Sequence, residues 1–303
     1  MTHPGLLASI SRVGPRGAPA VLIVLLLAGS AGCATAPAPT PVVPFRALRA
    51  ASLDEVLAAY DAFCNGTHAL SASGDLEVRD LRAGKSRRMG VRVLAGRDGR
   101  LYVKGSVAVV TALELVSDGR RFWFHVPSRK TVWTGNAGAE AAQAEAEGVP
   151  YRALRPQDVT ASLIPEPLVP GSGEAVMMEA DGETFSVALA GPAADGRALV
   201  RRRVWLDRET LRPVRLRRYD RNGDVETEAR FGAWRDGSAR RIEISRPVQG
   251  YQAVLELERV DRNPTLPDRA FAPRTPEGFR VIEVEDEGRR EAPSNRGGTE
   301  PRR

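Results

Sequence analysis

The stretch LSASGDLEVR, residues 70–79, alternates with a period of two. Leu70, Ala72, Gly74, Leu76 and Val78 point one way and Ser71, Ser73, Asp75, Glu77 and Arg79 the other, as in a β-strand with one dry and one wet face. The same rhythm recurs at Met89/Val91/Val93, Leu101/Val103, Leu113/Leu115 and Phe122/Phe124/Val126. After a gap it resumes at Phe185/Val187/Leu189, Val204/Leu206, Val214/Leu216, Ile242/Ile244 and Ala253/Leu255/Leu257. Asp98-Gly99, Asp118-Gly119 and Asn222-Gly223 are hairpin dipeptides, the last expected to join two of these strands. The pattern predicts an antiparallel meander in two groups, about ten or eleven strands of one curved sheet.

A helix precedes the first group. Ser52-Leu53-Asp54-Glu55 fits a capping box, in which Ser52 accepts from the Glu55 N–H and the Glu55 side chain reaches back. Leu53, Val56, Leu57, Tyr60 and Phe63 then form an apolar stripe at helical spacing, which the following segment is expected to cover. Between the strand groups, Ala137–Glu147 is rich in Ala and Glu and predicts a helix stopping at Gly148. A second short helix is predicted from Pro156, with Val159, Leu163 and Ile164 on one face and Pro165 and Pro167 at its end. Such a helix is either a lid over an interior or a plug that belongs to the core, and periodicity does not decide between them.

The N-terminal region fixes where the protein works. Val21–Leu27 is far shorter than the roughly 20 apolar residues of a membrane-spanning helix. Arg12 and Arg16 stand before it and the small residues Ala28–Gly32 after it, which together make a secretory signal over residues 1–32. Ser30-Ala31-Gly32-Cys33 resembles the bacterial lipobox, although Ser30 stands where Leu is usual. The resemblance implies that Cys33 carries a covalent N-terminal lipid and becomes the mature N-terminus; the alternative is ordinary cleavage near Ala31 or Ala34. Residues 33–49 hold Pro37, Pro39, Pro41 and Pro44 and read as an extended tether. Residues 50–284 are expected to form one domain, and residues 285–303, whose one small apolar side chain is Ala292, are expected to be disordered.

Of the two cysteines, an acylated Cys33 leaves Cys64 without a disulfide partner, so the core must hold the fold by burial. The net charge is +6, and 41 of the 44 basic residues are arginine. Arg201, Arg202, Arg203, Arg215, Arg217 and Arg218 form either a solvated outer face or a patch for anions. No nucleic-acid recognition module is present, and an exported address argues against nucleic acid as a partner. Enzymatic readings find no support: His68 and His125 sit in no metal-ligand spacing, and no GxSxG, GxGxxG or P-loop occurs. Asp220-Arg221-Asn222-Gly223-Asp224 places its Gly too early for a calcium loop, and a hairpin turn fits it. No catalytic residue, metal site or dissociable cofactor is expected.

The chain resembles the LolA/LolB lipoprotein-carrier family. The stretch RPQDVTASLIP, residues 155–165, looks like the lid helix of LolB, and DGRRFWFHVP, residues 118–127, like the hairpin strand before it. RVWLD, residues 203–207, followed by Leu211, Pro213 and the Tyr219-Asp220 turn, resembles the second meander; Asn263–Asp268 and Phe271 resemble the closing segment. The resemblance covers residues 50–284. It implies an α+β fold: an open antiparallel half-barrel with an N-terminal helix and an inserted helical lid over an acyl-chain cavity. Met89, Val91, Phe122, Phe124, Val159, Leu163 and Ile164 are the candidate cavity lining, or else sealed core. LolB carries an exposed apolar loop for membrane contact, and Val107, Val109 and Val110 stand at the corresponding place, either exposed or buried as a strand extension. The implied protein is non-enzymatic and lipid-anchored, with Ala34 favouring the outer membrane on its periplasmic side. Its implied partners are the membrane, the acyl chains of lipoproteins or lipids, and a LolA-like periplasmic carrier. The alternative on the same fold is an RseB-like sensing scaffold with a filled interior.

Overall fold

A computed structural model describes residues 48–137, 155–193, 196–273 and 275–284. The signal region, Cys33, most of the tether, the Ala137–Glu147 helix beyond its first residue and the C-terminal tail lie outside the described residues.

Helix α1 (Leu53–Asn65) starts where Ser52 Oγ accepts from the Glu55 N–H at 3.2 Å. The Glu55 carboxylate takes the Arg49 guanidinium rather than reaching back, so only half of the capping box forms. The first strand group is β1 (Ala69–Asp80), β2 (Lys85–Gly96), β3 (Arg100–Val107), β4 (Val110–Asp118), β5 (Arg121–Val126) and β6 (Thr131–Asn136). Helix α2 (Pro156–Leu163) follows. The second group is β7 (Ala175–Asp181), β8 (Thr184–Pro192), β9 (Ala198–Asp207), β10 (Pro213–Tyr219), β11 (Val225–Gly232), β12 (Arg241–Arg246) and β13 (Tyr251–Arg262), and β14 (Arg280–Val284) ends the described chain.

Among the described residues, all fourteen strands belong to one open sheet in the order β14-β6-β5-β4-β3-β2-β1-β13-β12-β11-β10-β9-β8-β7. The two meanders are joined at its middle by β1 against β13. Ten or eleven strands was therefore an undercount, because β6, β7, β11 and β14 lack the alternation of the others. β6 is buried on both faces, β7 is an edge strand that exposes Met177, and β11 buries Thr227 and Glu228. The sheet is also not wholly antiparallel, since β14 runs parallel to β6. Asn222-Gly223 turns the chain from β10 into β11, a strand outside the predicted set.

The sheet bends around α2. The helix lies against β12 on one side and β2, β3 and β4 on the other. In a flat sheet β12 and β4 would be five strand spacings apart, roughly 24 Å, whereas eight helical residues span only about 12 Å. At the middle of the bend, Gly74 of β1 stands opposite a bulge in β13, where Glu258 is the extra residue between the partners of Ser73 and Gly74. A Cβ there would collide with the Glu256 carbonyl oxygen, so glycine lets the two strands approach. The inner face is the one predicted from the opening stretch: Leu70, Ala72, Leu76 and Val78 are all buried in it.

Two apolar clusters fill the concavity. The larger joins the inner faces of β1–β5 and β11–β13 to α2. The smaller packs α1, through Val56, Tyr60 and Cys64, onto Phe185, Val187 and Leu189 of β8 and Val204 and Leu206 of β9. The apolar stripe of α1 is thus covered chiefly by the second meander, not by the segment that follows it. Sequence shows that a stripe needs a partner, but not which distant strand supplies it. On the outer face, the segment after β13 lies over Leu94, Tyr102, Val116 and Trp123, with Phe271 buried under the Arg100 guanidinium at 4.9 Å.

Candidate functional site

Helix α2 begins as predicted at Pro156, whose fixed φ and missing N–H suit the first turn. Its inner side places Val159 and Leu163, with Ile164 following, into the large cluster beside Met89 and Val91 of β2 and Phe122 and Phe124 of β5. The structure therefore brings all seven candidate lining residues together, and all are buried. Phe124 and Trp133 rings meet at 5.9 Å, and six of the seven lie within the large apolar cluster without lining the slot between the two helices.

The seventh, Leu163, borders open space. A slot runs between the C-terminal ends of the two helices, with Phe63, Cys64 and Thr67 on one bank and Ser162, Leu163 and Pro165 on the other. Its floor is Leu70, Phe231, Ile242, Leu257 and Val260. The free volume is about 30 Å³, room for one or two waters. The slot follows the seam between the two apolar clusters, so it widens if either helix moves outward. Burial pushes the Cys64 thiol up to about 12, which keeps it protonated and makes it an apolar wall rather than a nucleophile.

Charged groups behind α2 hold it in place. Arg155 caps the helix and donates to Glu226 Oε1 at 2.7 Å. Asp158 accepts from Arg218 at 3.3 Å, and Arg246 Nε lies 3.5 Å from its other oxygen. Arg218 also approaches Glu226 at 3.4 Å. Beyond the helix, Arg202 donates to the Pro167 carbonyl at 3.1 Å. Burial pushes the Asp158 carboxyl above its ordinary range despite Arg246, Arg218 and Arg155, and burial pushes the Arg155 and Arg246 guanidinium groups down. Desolvation therefore outweighs attraction, and the cluster sets the position of α2 more than it adds stability.

The predicted arginine face divides by strand alternation. Arg203, Arg215 and Arg217 surround Trp205 on the outer side at 5.8, 5.1 and 5.3 Å, while Arg202 and Arg218 turn inward to the α2 segment. The inward pair was hidden among its neighbours in the sequence.

The β3–β4 hairpin projects Val107, Val109 and Val110 into solvent at 57%, 98% and 66% exposure, with Ala108 at φ +52° between them. Of the two fates open to these valines, the structure shows exposure. Among the described residues, no group of three or more His, Cys, Asp or Glu side chains could hold a metal ion, and no helix is long and apolar enough to cross a membrane.

No protein-family model and no curated protein matches the sequence. Solved structures do match it. A LolA-superfamily protein of Nitrosomonas europaea aligns at 14% identity over 74% of this chain and 99% of its own, with a TM-score of 0.47. A DUF1329-family protein of Desulfovibrio piger aligns at 15% identity over 72% and 97%, TM-score 0.46. LprF of Mycobacterium bovis aligns at 12% identity over 70% and 94%, TM-score 0.24.

Proposed function

We propose that this chain is a non-enzymatic, lipid-anchored protein of the cell envelope that shelters acyl chains in its concave face, with α2 as the lid. Lipidated Cys33 would tether it, most simply at the outer membrane facing the periplasm, and a LolA-like carrier would hand it cargo. The observation that carries this reading is the slot along the seam between the helices: an apolar interior that α2 closes and that opens if α2 moves outward. Hiding tails has a clear physical purpose, since each methylene exposed to water costs about 0.8 kcal/mol. The valine hairpin supports the same reading, because three neighbouring valines exposed among the described residues suit the apolar edge of a bilayer.

The narrow slot favours a second reading, a scaffold or sensor whose interior stays filled. With about 30 Å³ free, a tail enters only if α2 or α1 is displaced. Native mass spectrometry of the protein purified without detergent separates the two. A carrier retains lipid mass or takes it up from vesicles; a scaffold stays at the bare protein mass under saturating lipid.

A further inference from the structure

The slot does not end at its apolar floor. It shares Ser238, Val260 and Arg262 with a wider polar recess of about 420 Å³, lined also by Gly66, Asp236, Arg240 and Asn263. Across these shared residues the apolar lining of Phe63, Leu163 and Leu257 adjoins two guanidinium groups at the outer end.

The outer end is built and positively charged. Arg240 donates to the Glu258 carbonyl at 3.1 Å and lies 3.5 Å from Asp236, which is 80% exposed, while its buried Nε has no hydrogen-bond acceptor. Arg262 makes no side-chain hydrogen bond or ion pair among the described residues and stands over Gly237. A Cβ on that glycine would come within 3.3 Å of the guanidinium, and its φ of +71° already favours glycine. Asn263 fixes the far rim: its Oδ1 accepts from the His68 N–H at 2.8 Å and its Nδ2 donates to the Gly66 carbonyl at 3.0 Å. Two arginines against one solvated carboxylate leave the rim with a net positive charge and unused donors.

We propose that this recess is a headgroup site: the protein selects amphiphiles whose single apolar tail continues into an oxyanion, a carboxylate or phosphate, bound by Arg240 and Arg262. The inference rests on the acyl-binding reading and adds its ligand class. Guanidinium groups bind such oxyanions through charge-assisted, often bidentate hydrogen bonds. The tail would lie between Phe63 and Leu163 as the helices part, which places the headgroup beside Ser238 at the solvent end.

The test is a fluorescence titration of the full chain with cis-parinaric acid and with its methyl ester, which share a tail and differ in charge. The acid is expected to bind at least tenfold tighter than the ester, and Arg262→Gln and Arg240→Gln each to reduce that preference toward parity without weakening the ester. Arg262→Lys should restore part of it. Displacement of the probe by lysophosphatidylglycerol would assign a phosphate to the site, with lysophosphatidylcholine, whose phosphate charge is offset by choline, displacing it less; displacement by palmitate alone would assign a carboxylate. Equal binding of acid and ester by the unaltered protein overturns the headgroup site and leaves acyl binding standing. Binding of neither overturns both.

Discussion

Leu163→Ala separates a working slot from ordinary packing. Leu163 is 7% exposed and borders the void. Truncation removes three carbons, roughly 2.4 kcal/mol at about 0.8 kcal/mol each, and buried Leu→Ala changes cost about 2.7–5.0 kcal/mol once the cavity is included. A site already beside free space falls near the lower end, so about 3 kcal/mol is expected. For a domain of this size, at roughly 2–4 °C per kcal/mol, that lowers Tm by about 6–12 °C. The same truncation enlarges the slot, so parinaric acid should bind more tightly than to the unaltered protein. A tail at a hundredfold excess over its Kd returns about 2.7 kcal/mol and should recover most of the lost Tm. Leu115→Ala, buried in β4 away from the slot, is the control: a similar loss in thermal melts without tighter binding. Equal ligand response in the two variants, or weaker binding in Leu163→Ala, would refute the reasoning.

Val109→Asp, at the exposed hairpin tip, should change stability by less than about 0.5 kcal/mol while reducing co-flotation with phospholipid vesicles; unchanged flotation would remove the hairpin from membrane contact. Gly74→Ala forces a Cβ into the Glu256 carbonyl and should cost about 1–3 kcal/mol or more in urea denaturation. Burial alone would raise the Glu228 carboxyl, but hydrogen bonds from Arg217 and Arg230 hold it below the ordinary glutamate range. Its stabilisation is therefore present above that range and lost as pH falls through the folded-state value. Glu228→Gln should accordingly melt earlier at pH 7, and the gap to the unaltered protein should close on acidification in melts from pH 7 to pH 3.

Much of the sheet was legible because a strand with one wet face writes its orientation into every second residue, as Leu70 to Val78 do. Strands without that contrast were not: β6 is dry on both faces, and β14 joins it in parallel after a long separation that leaves no local signature. The α2 helix was legible from Pro156 and its apolar face, and so was the set of residues beneath it. What they surround was not, because alternation reports which face is inward but not whether that face is filled. The partners of Asp158, namely Arg218 and Arg246, lie on distant strands and look like surface arginines in one dimension. The slot between α1 and α2 exists only because α1 crosses to β8 and β9, a long-range choice that its own stripe does not encode.

The most direct measurement is a crystal structure of the protein with a saturating long-chain lipid. The account predicts tail density between Phe63 and Leu163 over Phe231 and Leu257, with α2 displaced outward from β12. An α2 still seated against β12, over an interior that stays closed to the lipid, would contradict it.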